Sequence, residues 1–265
     1  DAKSAPAAKE EWMGIYHQGQ KAGYVRRHLT PTDTGYVWGE QWRMRLNVMD
    51  TPQTVHTVVH ANVDQQYALM DFSFRMLSSG VTFQVKGHVV HKEGASNASL
   101  AQELQGEMIT GGNTSPFSFP LQDPIYLPAT TQMAFRHLSL QPGQEHAFQI
   151  FNPLSMRPDT ISIAVIGPET IAIHDESITA TKVAERFAGT TVHAWLNDNG
   201  QVLKEEAPLG MVLLRENERQ ALGGGWQDGT PLDLVATAAI SVDRRLPNPR
   251  GLSELQLTFS TLRDE

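Results

Sequence analysis

From Gln41 to Val48 the chain alternates polar and apolar residues without a fault. Trp42, Met44, Leu46 and Val48 fall on one side, and Gln41, Arg43, Arg45 and Asn47 on the other. Successive side chains of a strand point to opposite faces, so this pattern specifies a strand with one buried and one wet face. The alternation continues through Val55, Thr57, Val59, Ala61 and Val63. It returns in Phe72, Phe74 and Met76, opposed by Asp71, Ser73 and Arg75, and again in Val81, Phe83, Val85 and Val89. Turn-forming residues separate the runs at 19–23, Asp33-Thr34-Gly35, Asp50-Thr51-Pro52 and Ser78-Ser79-Gly80. Short spacings and one-sided alternation indicate an antiparallel meander, because a parallel sheet needs long crossovers and is apolar on both faces.

The remainder of the chain extends the same plan. Pro128 to Leu138 is the best helix candidate, with Pro in its first turn and Pro142-Gly143 beyond its end. Strands are expected at 145–151, 160–166 and 170–173. A hairpin is expected over 190–205, turning at Asn197-Asp198-Asn199-Gly200. A short helix over 217–222 precedes Gly223-Gly224-Gly225, a run that resists regular structure and reads as a linker. The expected class is all-β, mainly β with one or two short helices: a large curved antiparallel sheet, half-barrel or open barrel. Its expected divisions are a flexible lead over 1–11, a β domain over 12–222, a Gly-rich linker over 223–230 and two further strands within 231–265. Those strands either pack on the main sheet or start a second domain.

Composition excludes several functions. With 40% hydrophobic and 19% charged residues, the 265-residue chain is no disordered polyelectrolyte. No apolar run approaches the roughly 18 residues of a spanning helix, so it is not expected to be membrane-spanning. A formal charge of −8 disfavours nucleic acid, whose affinity rests on cations at phosphates. Cysteine is absent, which removes thiolate catalysis and Cys-ligated metals.

Candidate chemistry is sparse. His56 and His60 stand four residues apart on a strand, about 13 Å and too far to share a metal. His88 and His91 fall on opposite faces. No G-x-S-x-G elbow or phosphate loop occurs, and Glu205-Glu206 reads as surface charge. No catalytic residue, metal ligand or cofactor is therefore assigned. A hydrolase independent of Cys would need a constellation that the sequence does not display. What remains is apolar: Trp42, Met44, Phe72, Phe74, Met76 and Phe83 share the buried faces of consecutive strands. They form either an ordinary sheet core or, with a single short helix to cover a wide sheet, an open groove for an apolar ligand or a protein partner. Met would let such a groove adapt to its ligand.

Some of these segments carry a family likeness. Trp12-Met13-Gly14-Ile15-Tyr16, Gly19 to Tyr24, Pro124 to Leu127, Leu140 to Gly143, Trp195 to Leu203 and Glu206 to Met211 resemble the β-rich N-terminal region of bacterial exported transglutaminase-like proteins. In that family a Cys-His-Asp catalytic domain follows. This chain has no Cys, so the resemblance implies a non-catalytic accessory domain and possession of a neighbour, an adjoining transglutaminase-like domain. The pattern is also similar to lipoprotein-carrier half-barrels, which implies the alternative role of a stand-alone carrier of an acyl or lipid ligand. Residue 1 is Asp, which fits a trimmed precursor. A periplasmic or otherwise extracytoplasmic bacterial location, with the signal peptide removed, is the matching expectation.

Overall fold

The computed structural model describes residues 9–48, 51–91, 102–135, 138, 140–174, 176–227 and 231–233. Eight strands come first: β1 (Lys9–His17), β2 (Gln20–Pro31), β3 (Gly35–Val48), β4 (Thr51–Asp64), β5 (Leu69–Ser78), β6 (Val81–His91), β7 (Gln102–Thr110) and β8 (Asn113–Leu121). The short β9 (Ile125–Tyr126) leads into helix α1 (Pro128–Ala134). Then follow β10 (Glu145–Asn152), β11 (Arg157–Ile173), β12 (Glu176–Phe187), β13 (Thr190–Leu196), β14 (Val202–Ala207), β15 (Met211–Glu216) and helix α2 (Glu218–Leu222).

Among the described residues the fifteen strands form one sheet, ordered β8 back to β1, then β15 back to β9. Neighbours pair antiparallel except β9 with β10. The sheet's two edges, β8 and β9, are joined by only three residues, 122–124. At about 3.3–3.6 Å per residue, such a link cannot hold the edges more than about 15 Å apart. The sheet therefore curls into a nearly closed barrel, and the expected all-β open barrel is what the chain forms. Aromatic contacts cross the enclosed space: Phe151 of β10 lies 5.6 Å from Phe72 and stacks on Phe117 at 5.2 Å between ring centres.

That crossing needs room, and two glycines supply it. Phe117, Gly106, Gly87 and Phe72 are register partners along one row across β8 to β5. A Cβ on Gly87 would stand 2.6 Å from the Phe72 ring, and one on Gly106 would stand 2.5 Å from Phe117 and 2.1 Å from the Lys86 carbonyl oxygen. The rings lie over bare backbone, a close approach that a Cβ would block.

Several boundaries differ from expectation for identifiable reasons. Lys9 to Glu11 are not part of a lead but open β1, because Lys9 pairs with Leu29; residues 1–8 lie outside the described ones. The turn expected over 19–23 is confined to Gln18-Gly19, and Lys21 to Gly23 already pair within β2. Helix α1 stops at Ala134 and does not run to Leu138; Phe135, its C-cap, is buried in the interior. The strands expected at 160–166 and 170–173 are one strand, β11, interrupted by a bulge between Val165 and Gly167. The β7–β8 hairpin, β12 and β15 are additional to the expectation.

The expected linker is not loose where it is described. Trp226 is buried and meets the Tyr24 ring edge-on at 5.8 Å, so 223–227 form a strap over the outer face of β1 and β2. Beneath it the Tyr16 hydroxyl donates to Glu216, whose other oxygen accepts from Lys21 Nζ at 2.7 Å. Leu232 then pairs with β3, exchanging backbone hydrogen bonds with Arg45 and Asn47. Residues 231–233 thus pack on the main sheet. The two strands expected further along lie outside the described residues.

Candidate functional site

The barrel interior holds two apolar clusters. One gathers Trp38, Phe72, Phe74, Val85, Leu104 and Phe151, and the other Met13, Val25, Phe135, Ile163, Val183 and Leu213. Between them lies a cavity of about 240 Å3. Strands β3 to β5 form one wall with Glu40, Trp42, Met44, Thr57, Val59 and Phe74. The opposite wall is the start of α1, at Leu127, Pro128 and Ala129, with the turn at 152–154. Leu154 is 60% exposed and marks the rim.

Of the six residues expected on the apolar face, the structure brings three to this cavity: Trp42, Met44 and Phe74. Phe72 is instead buried against Phe151 and the backbone of Gly87. Met76 and Phe83 are half-buried against the first cluster, with Phe83 edge-on to Phe74 at 6.1 Å. The six do share the interior, as alternation requires, but they do not form one continuous groove. The far wall of the curled sheet fills part of it.

Sequence reasoning missed a polar cluster in the same interior. Phe74, Val59, Glu40 and Arg27 are register partners across β5, β4, β3 and β2, so the row that forms the cavity wall runs directly into a buried cation. Arg27 Nε donates to Glu40 Oε2 at 2.7 Å, and Nη1 donates to Glu205 Oε1 at 3.0 Å. Gln132 of α1 donates to the same Glu205 oxygen at 2.8 Å. Ala129 and Gln132 are three residues apart, so one face of α1 serves both cavity and cluster. Burial disfavours the Arg27 charge, but the Glu205 and Glu40 carboxylates outweigh that and push its pKa further up.

Glu205 therefore corrects the surface reading of Glu205-Glu206. It pairs with Ala194 and Leu213 on the interior face, while Glu206 turns outward to Lys204. A further carboxylate, Glu185, stands nearby on β12. Burial, and then repulsion from Glu205, pushes it up to about 8, with Arg27 offsetting a part. Its Oε1 is buried without a hydrogen-bond partner among the described residues. The signal that finds Arg27 and Glu40 is their phase. Arg27 lies between Val25 and Leu29, and Glu40 between Trp38 and Trp42, each two residues from apolar partners on the same face.

The histidines among the described residues do not line this cavity. His28 and His60 come within 6.2 Å on the outer face, and no three metal-binding side chains converge among the described residues.

No family model matches the sequence, and no curated protein matches it. Among solved structures, the chain is similar to a β-barrel-like protein of the domain of unknown function DUF1849 from Brucella abortus. The TM-score is 0.53 at 7% identity, covering 79% of this chain and 95% of that one. A DUF1089 family protein from Pseudomonas aeruginosa matches with a TM-score of 0.36 at 13% identity, over 76% of this chain and 90% of that one. The first likeness agrees with the barrel-like fold.

Proposed function

We propose that the protein binds a small apolar ligand, in the manner of a carrier, in the cavity between β3–β5 and the start of α1. The observation that supports this is the cavity itself: about 240 Å3, walled by Trp42, Met44, Val59 and Phe74. An engineered apolar cavity of about 150 Å3 binds benzene, so this one has room for a short alkyl chain. Each methylene moved from water contributes about 0.8 kcal/mol, and a tail of six to eight carbons gains about 5–6 kcal/mol before the cost of immobilisation. The reading needs no catalytic step. It takes the carrier role over that of an accessory to a transglutaminase-like domain, because the lining of this cavity is mostly apolar.

The test is titration with an apolar dye that brightens on leaving water, alongside Ala129→Phe, which places a ring in the cavity. Saturable uptake by the wild type and none by the variant is the expected result. A wild type that takes up no dye, or a variant that takes it up equally, overturns the proposal.

A further inference from the structure

Resting on that reading, we infer that the ligand ends in a hydrogen-bond-donating head, a primary amine or an alcohol and not a carboxylate, and that this head meets Glu40. Glu40 is the one ionisable side chain on the cavity wall among the described residues. Its neighbours on that wall, Trp42, Val59 and Phe74, are apolar, so a tail lies along them and a head is left facing the carboxylate.

The charge around Glu40 sets the sign of what it accepts. Its Oε2 already takes the Nε proton of Arg27, and Arg27 is shared with Glu205. One guanidinium thus serves two buried carboxylates, and the cluster keeps an excess of negative charge. Among the described residues no Lys, Arg or His lines the cavity to neutralise a further anion, and its other polar side chains, Thr57 and Asn152, are neutral. An incoming carboxylate would bring only acceptors to an acceptor and would add like charge where the dielectric is low. Glu185 shows how this interior treats one more carboxylate, since burial and Glu205 together hold it protonated up to about pH 8. An ammonium or hydroxyl instead donates to Glu40, and the ammonium also balances the excess charge.

Octylamine, 1-octanol and octanoate have tails of similar size and are compared by displacement of the bound dye at pH 8. There the amine is cationic and the acid anionic. A merely apolar cavity penalises both charged heads alike, so the decisive comparison is amine against carboxylate. Octylamine and octanol are expected to bind at least fivefold more tightly than octanoate. A smaller gap, or the reverse order, overturns the inference while leaving the apolar-ligand reading intact. Failure of all three to displace the dye overturns both. Glu40→Gln should shrink the amine-to-octanoate gap at least threefold, with folding checked by thermal melting; an unchanged gap in a folded variant overturns the role of Glu40. Should that variant not fold, the wild-type ranking decides.

Discussion

Phe72 and Phe74 are two residues apart on one strand, point to the same side and are both buried, yet they meet different surroundings. Phe72 is closed in by Phe151 from the far wall and by the Gly87 backbone. Phe74 faces a cavity, and its register row leads through Val59 and Glu40 to Arg27. Where the two walls of the barrel interdigitate, the interior is filled like any core. Where a strand wall meets α1 and buried charge, the fit leaves a space. A face of alternating apolar residues is thus divided by what stands opposite it, and only the second part is suited to a ligand.

The largest expected effect tests the charged part. Arg27→Met leaves Glu40 and Glu205 buried without their cation, which should cost about 3–5 kcal/mol in urea unfolding at neutral pH. A loss below about 1 kcal/mol would show that the cluster is far more hydrated than its burial implies. The aromatic part comes next. Phe72→Ala should cost about 3–4 kcal/mol and Phe74→Ala about 1 kcal/mol less, since its surroundings are already incomplete. Equal losses would erase the distinction between the two positions.

A smaller effect concerns Glu185 and pH. The folded state keeps it protonated to about 8, whereas an unfolded glutamate ionises near about 4.3. Between those values the folded state binds more protons, so this residue's contribution to stability is full below the unfolded pKa and falls as pH rises toward 8. Glu185→Gln should match the wild type near pH 4 and gain on it steadily up to pH 8, as read by melting temperature. A difference that is flat with pH would contradict this. The smallest effect is expected at the rim: Leu154→Ser should change stability by less than about 0.5 kcal/mol while weakening dye uptake. An unaltered dye affinity would place the entrance elsewhere.

Much of this is legible in the amino-acid sequence. Period-two alternation identifies β3 to β6 and the interior side of Trp42, Met44, Phe72, Phe74, Met76 and Phe83, because the pleat leaves only two directions. The β7–β8 hairpin is obscured by Gly106, Pro116 and Pro120, residues that disrupt the usual strand signal but here fit the close approach of Phe117 and the sheet's edge. Glu205 reads as surface charge because adjacent acids normally face water, whereas its partner Arg27 lies 178 positions away in the chain. Its burial depends on the barrel closing. The cavity has the same origin, since α1 and the 152–154 turn meet β3–β5 only after closure.

That closure also orders the folding of the molecule. Among the pairings of the fifteen described strands, β1 with β15 alone joins strands distant in sequence, bringing Trp12 beside Glu216. The others can zip locally as two meanders, each paying a small loop-closure entropy per step. Joining β1 to β15 is then the one kinetically demanding event, and the contacts of Arg27 with Glu205 and of Phe72 with Phe151 reward it as it happens. Substitutions in the β1–β15 seam should slow refolding, while those in the outer hairpins should chiefly speed unfolding.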